Sequence, residues 1–292
     1  FVLAEILKDV KNLKNVSLSR FFLESLDLNE MKNYVNLNSI SIQDCGLKNL
    51  TVSESIEFKN ISELNLESNQ LESIEANLLK AIINLTKLNI ARNKLTNIDR
   101  NLFTSLKNLK ELNLSGNSLK ILDLSLFDNL NNLESLNLGY TSLKVFDLPI
   151  GEKLPKLKEL VLCGNEKELI NNLNLKNAKE LTSLDLMNLK LDHLPVHLFE
   201  DLINLQTLDL SFNHLEHLNS ELFKNCANLE DLDLSHNNLT QLSGVFDNLK
   251  NLTRLNLKKN SNQILESNVF FPLKKLAYLN LSFNRIENIQ SC

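Results

Sequence analysis

The sequence predicts an α/β solenoid, a single array of about twelve similar units whose short strands stack into one parallel sheet. Three observations predict it. The segments "LTSLDLMNLKLDHL" from Leu181, "LQTLDLSFNHLEHL" from Leu205 and "LEDLDLSHNNLTQL" from Leu229 repeat one pattern at intervals of 24 residues. The phase extends to starts at Leu13, Leu37, Ile61, Leu85, Leu109, Leu133, Leu157, Leu252 and Leu276, so that ten of eleven intervals are 24 residues and one is 23. Within each unit the apolar residues alternate for a few positions and then break at a polar residue, a spacing that fits no helix.

Each part of the unit follows from this register. Positions 3 to 7, counted from each start, are expected to form a strand with positions 4 and 6 inward and positions 3, 5, 7 and 8 toward solvent, because strand side chains alternate. Strands stacked at about 4.8 Å give an inner arc of roughly 50 Å. Position 9 explains the break. A turning backbone leaves N–H and C=O groups inside the stack, and an asparagine amide both donates and accepts. The column reads Phe21, Cys45, Asn69, Asn93, Asn117, Thr141, Asn165, Leu189, Asn213, Asn237, Asn260 and Asn284. Phe21 and Leu189 lack the amide, which predicts altered loops there. Lys167 stands where the seventh unit should have its position 11 leucine, which predicts a bulge on the returning side.

The unit matches L-x-x-L-x-L-x-x-N/C-x-L, and on that motif the whole chain resembles the leucine-rich repeat family. The regular length and the phenylalanine near position 19 (Phe103, Phe127, Phe199, Phe223, Phe270) resemble its extracellular class, most of all a Toll-type receptor ectodomain or a secreted immune relative. The resemblance implies a horseshoe with a concave sheet, recognition of a protein or microbial ligand, and a homo- or heterodimer. Adhesion and matrix proteins share the same unit and are the alternative. Such proteins often open a disulfide-bonded C-terminal cap with a cysteine after the last unit. Cys292 is then expected to pair with a partner outside this chain. Residues 1–12 read as the tail of an incomplete unit and 276–292 as a last unit cut at the start of such a cap, within one solenoid over 1–292.

Composition narrows the function. A net charge of −5 opposes nucleic acid, whose binding depends on cationic contacts to phosphate. Six glycines and four prolines leave little for linkers or phosphate loops. Direct insertion of this segment into a membrane is not expected. Neither G-x-S-x-G, H-E-x-x-H nor a paired C-x-x-C occurs, so an enzyme is not expected, and no cofactor is either. Cys45 and Cys226 fall on inward positions, while Cys163 at position 7 is expected on the open face. Sequons at Asn15, Asn49, Asn60, Asn84, Asn113, Asn238, Asn251 and Asn280 predict glycans and an extracellular location. His193, His197, His214, His217 and His236 fall within three units. A metal or pH-sensing site competes there with solvated polar positions, and the latter are expected.

The outward columns carry the binding expectation. Position 5 runs from a ladder of asparagines through Val161 to Asp185, Asp209 and Asp233. Nearby lie Asp231 and, at positions 7 and 8, Tyr140, Met187, Phe212 and His236. Exposed apolar residues beside carboxylates mark an interaction surface. The ligand site is expected on these nine residues. A second cluster, Arg254, Lys258, Lys259 and Arg285, is expected to solvate its face.

Overall fold

A computed structural model describes residues 9–10, 12–53, 56–262, 264–266 and 268–290. They fall into two compact units, residues 1–142 and 143–292. The first holds β1 (Asn15–Ser19), β2 (Ser25–Asp27), β3 (Ser39–Gln43), β4 (Asn49–Thr51), β5 (Glu63–Asn65), β6 (Lys87–Asn89), β7 (Glu111–Asn113) and β8 (Ser135–Asn137). Strands β1, β3, β5, β6, β7 and β8 pair in that order, all parallel, and β2 pairs with β4 beside them. The second unit holds β9 (Glu159–Val161), β10 (Ser183–Asp185), β11 (Thr207–Asp209), β12 (Asp231–Asp233), β13 (Arg254–Asn256), β14 (Ile264–Glu266), β15 (Tyr278–Asn280) and β16 (Asn288–Gln290). There β9, β10, β11, β12, β13 and β15 pair in order, again parallel, and β14 pairs with β16. Register follows the repeat: Asp185 lies opposite Asp209 and Asp209 opposite Asp233.

The strands are shorter than expected, and the reason is chemical. Where position 5 is Asn or Asp, its side-chain oxygen accepts the N–H of position 7, as Asn65 does from Glu67, Asn113 from Ser115 and Asp233 from Ser235. That local turn ends the strand after three residues. The two five-residue strands of the ladder, β1 and β3, have Ser17 and Ser41 there. Val161 also ends a short strand without an acceptor and is the exception. At position 8 every repeat enters the left-handed region, from Arg20 at φ 55° to Phe283 at 60°, with glycine at Gly116 and Gly164.

Two polar ladders hold successive repeats together. Asn117 accepts from the Leu95 N–H at 3.1 Å and donates to the carbonyls of Ile90 and Leu114 at 3.0 and 2.9 Å. Asn69, Asn93, Asn213, Asn237 and Asn260 repeat this pattern. Where Cys45 replaces the amide, its carbonyl takes the Leu23 N–H instead and its thiol donates to the Gln43 carbonyl. The second ladder lies at position 24, just before each start. Asn60, Asn84, Asn132, Asn204 and Asn228 each donate to a main-chain carbonyl 25 residues earlier. Between the ladders the core is apolar, with Phe103, Phe127, Phe199 and Phe223 fully buried. The Phe199 and Phe223 rings stack with centroids 6.0 Å apart. At Lys167–Asn172 the returning chain winds into a 3-10 helix.

Candidate ligand-binding face

Strands β9 to β13 place the position 5 side chains in one row: Val161, Asp185, Asp209, Asp233 and Asn256. All five are half-exposed. Each aspartate has one oxygen committed to its own turn, Asp185 to the Met187 N–H, Asp209 to Ser211 and Asp233 to Ser235. Asp233 also accepts from the Asn256 amide at 2.8 Å. Among the described residues no cation lies within ion-pair distance of Asp185, Asp209 or Asp233. Burial holds the Asp209 carboxyl above the usual carboxylate range. The Ser211 hydrogen bonds oppose that rise, and the neighbouring Asp185 and Asp233 charges reinforce it.

Asp231 differs. It lies opposite Arg254 and within 3.6 Å of it. Burial raises its carboxyl, Arg254 pulls it down, and Asp233 raises it further. The patch is thus uncompensated in its central row and compensated at Asp231.

Beside the row, the position 8 residues form a second line. Phe212 and His236 stack with ring centroids 4.0 Å apart and planes 19° from parallel. Phe212 is 49% exposed. Burial lowers the His236 ring below its ordinary value, and Lys259 and Lys258 lower it further against the pull of Asp233. Past His236 the face turns cationic: Arg254 lies 4.2 Å over the Tyr278 ring, and Lys258 and Lys259 lie 5.5 and 5.9 Å from that of Phe283. This pairing of cations with exposed rings was not anticipated. Only the residue types hinted at it.

The second unit therefore brings together eight of the nine expected residues: Val161, Asp185, Met187, Asp209, Phe212, Asp231, Asp233 and His236. Tyr140, also at position 8 and 51% exposed, belongs to the first unit. Cys163 corrects the expectation of an open thiol. It is 6% exposed, because position 7 is where the chain leaves the sheet, turning at Gly164 with φ 66°. Burial and the Asp185 carboxylate push its thiol up to about 12. Among the described residues no three His, Cys, Asp or Glu side chains are grouped to hold a metal. Cys292 lies outside the described residues.

The leucine-rich repeat family model matches residues 83–143, 179–239 and 240–286, more than half of the chain, and the chain belongs to that family. Its fold resembles Toll-type ectodomains. Toll of Drosophila, solved in complex with Spatzle in glycosylated form, is 28% identical with a TM-score of 0.84 over 97% of this chain and 38% of its own. TLR13, in complex with the single-stranded RNA ssRNA13, is 25% identical with a TM-score of 0.76 over 95% of this chain and 45% of its own. An internalin of Listeria monocytogenes is 25% identical at a TM-score of 0.67, over 89% of this chain and 71% of its own. The chain spans less than half the length of the two Toll-type proteins. No curated protein matches it in sequence.

Proposed function

We propose that this chain is the ligand-recognition part of an extracellular innate-immune protein, a Toll-type receptor or a secreted relative, and that it binds a basic protein ligand. The site is the strand face of the second unit. One observation carries the reading: Asp185, Asp209 and Asp233 stand in a row with no cation partner among the described residues, beside the stacked Phe212 and His236 rings. Neighbouring like charges cost stability, so keeping three of them beside an exposed ring argues for a use outside the fold. Aromatic anchors at the centre of an interface supply most of its binding energy. The carboxylates select a partner and speed its approach.

The role is that of a binding module rather than an enzyme, and the fold likeness to ligand-bound Toll supports it. The RNA of the TLR13 complex does not carry over, because phosphate would meet carboxylates on this face. Glycans on Asn15, Asn49, Asn60, Asn84, Asn113, Asn238, Asn251 and Asn280 are part of the reading. Asn15, Asn49, Asn60, Asn84 and Asn238 are exposed. Asn113 and Asn280 accept hydrogen bonds from Ser115 and Ser282. Among the described residues no helix is long and apolar enough to cross a membrane.

A binding screen tests the proposal. An array of purified secreted proteins is probed with the tetramerised chain and, in parallel, with Phe212→Ala and with Asp209→Lys/Asp233→Lys. Basic proteins that bind the wild type and are lost with both variants are expected. Binders retained by both variants would move the site elsewhere.

A further inference from the structure

The returning side of the second unit carries a groove that the strand face leaves unused. A cavity of about 370 Å³ runs from Asp147 past Asn171 and Asn172 to Asp201. It continues beyond His197 and Glu200 into a depression of about 310 Å³ that reaches Glu221.

Several departures from the repeat lie close to it in the chain. Lys167 replaces the position 11 leucine, and Lys167–Asn172 forms a 3-10 helix. Leu189, in the next repeat, replaces the amide that would have met the position 11 N–H. Gly151 is required by contact: a Cβ there would stand 2.2 Å from the Asn177 carbonyl carbon and 2.6 Å from the Lys176 oxygen. Asn177 is left-handed, at φ 58°, and its N–H donates to Asp201 at 2.8 Å. A regular array that abandons its own pattern at several columns at once is shaped there by something other than stacking.

The lining states the chemistry. Asn171 and Asn172 are exposed, and their amides make no side-chain hydrogen bond among the described residues. Such amides present one donor side and one acceptor side, as a peptide unit does. The first cavity carries three carboxylates, Asp147, Glu200 and Asp201, against Lys176 and His197. Asp201 is engaged by Asn177, and Glu200 stands 3.5 Å from His197. Asp147 has no cation partner among the described residues. In the second depression Glu221 is taken by Lys224 at 2.9 Å.

We propose that this groove binds an extended peptide segment of a protein partner, its main chain on Asn171 and Asn172 and its lysine or arginine side chains on Asp147 and Glu200. An extended segment advances about 3.3 Å per residue and sends alternate side chains to one side. The basic residues of the occupant are therefore an even number of positions apart.

A random heptapeptide library displayed on phage and selected on the intact chain tests this. Selected peptides are expected to carry at least two Lys or Arg residues, an even number of positions apart. A synthetic copy of the most enriched peptide, followed by fluorescence polarisation, should bind at least about tenfold more weakly to Asp147→Lys/Glu200→Lys and several-fold more weakly to Asn171→Ala/Asn172→Ala. It should bind Phe212→Ala as it binds wild type, which separates this groove from the strand face. All these side chains are exposed, and unchanged thermal melts verify that the variants fold. Failure to enrich any peptide, enrichment of peptides without basic residues, or indifference to Asp147→Lys/Glu200→Lys would each overturn the proposal. Loss of binding in Phe212→Ala would assign the peptide to the strand face and overturn it as well.

Discussion

Phe212 and His236 occupy the same position of adjacent repeats, and their rings stack 4.0 Å apart at the edge of the acidic row. Both residues are left-handed, at φ 56° and 55°, a region that bulky residues seldom enter. The repeat imposes that conformation on its position 8 column. The column therefore presents whatever side chain it holds at a fixed place beside the strands. In most repeats that side chain is small, polar or charged. Here it is an aromatic pair flanked by carboxylates.

Asp209 should destabilise the fold at neutral pH. Its folded-state pKa is raised, chiefly by burial. A carboxyl raised on folding costs nothing below its unfolded value, near 3.9, and takes stability away as pH rises from there through its folded value. Asp209→Asn keeps an acceptor for the Ser211 N–H, as Asn89 does for Ala91 in its own repeat, and removes the charge. The variant should melt higher than wild type at pH 7, with the gain disappearing as pH falls below about 3.9. Melts followed across this range decide it. A gain independent of pH, or a loss at pH 7, would contradict the assignment.

The position 9 ladder should be worth far more than the position 24 ladder. Asn117 is 3% exposed and satisfies three main-chain groups of its own and the preceding repeats. Asn117→Ala strands them, at about 1–3 kcal/mol for each buried group left unpaired. Asn132 donates to the Lys107 carbonyl at 2.9 Å at an exposed edge, where water can replace a lost bond, and Asn132→Ala should cost about 1 kcal/mol or less. Urea midpoints of the two variants, at unchanged slope, give the comparison. Equal losses would mean that the ladders carry equal weight.

The periodic features of this fold were legible because each is written many times over. The strand starts and the position 9 column follow from register alone. Features set by one contact were not. Cys163 was placed on the open face by strand alternation, but the strand ends at Val161 and the chain is already turning at Gly164. The pairing of Asp231 with Arg254 crosses the single 23-residue interval. The position 24 ladder stood in plain view as Asn60, Asn84, Asn132, Asn204 and Asn228, but the consensus "NL" gave no reason to read it as hydrogen bonding. The close approach of Asn177 to Gly151 is a single contact, which no spacing reports.

The thiols should be silent in the native protein. Cys45, Cys163 and Cys226 are 2%, 6% and 0% exposed, and burial pushes the thiols of Cys163 and Cys226 up to about 12. The thiolate is the reactive form. Iodoacetamide at pH 8 should leave all three unmodified until urea unfolds the chain, as read by peptide mass spectrometry. Rapid native labelling of Cys163 would show that the turn at Gly164 opens.

The most direct test of the strand-face site is kinetic. Surface plasmon resonance compares wild type, Phe212→Ala and Asp209→Lys/Asp233→Lys against the first basic protein recovered from the secreted-protein array, at low and high salt. Phe212→Ala should lose roughly 1–3 kcal/mol of binding, mainly through faster dissociation. The double reversal should slow association at low salt and converge toward wild type as salt screens the charges. If both variants fold and bind with wild-type kinetics at both salt concentrations, the acidic row and its aromatic pair serve the repeat alone, and the ligand binds elsewhere.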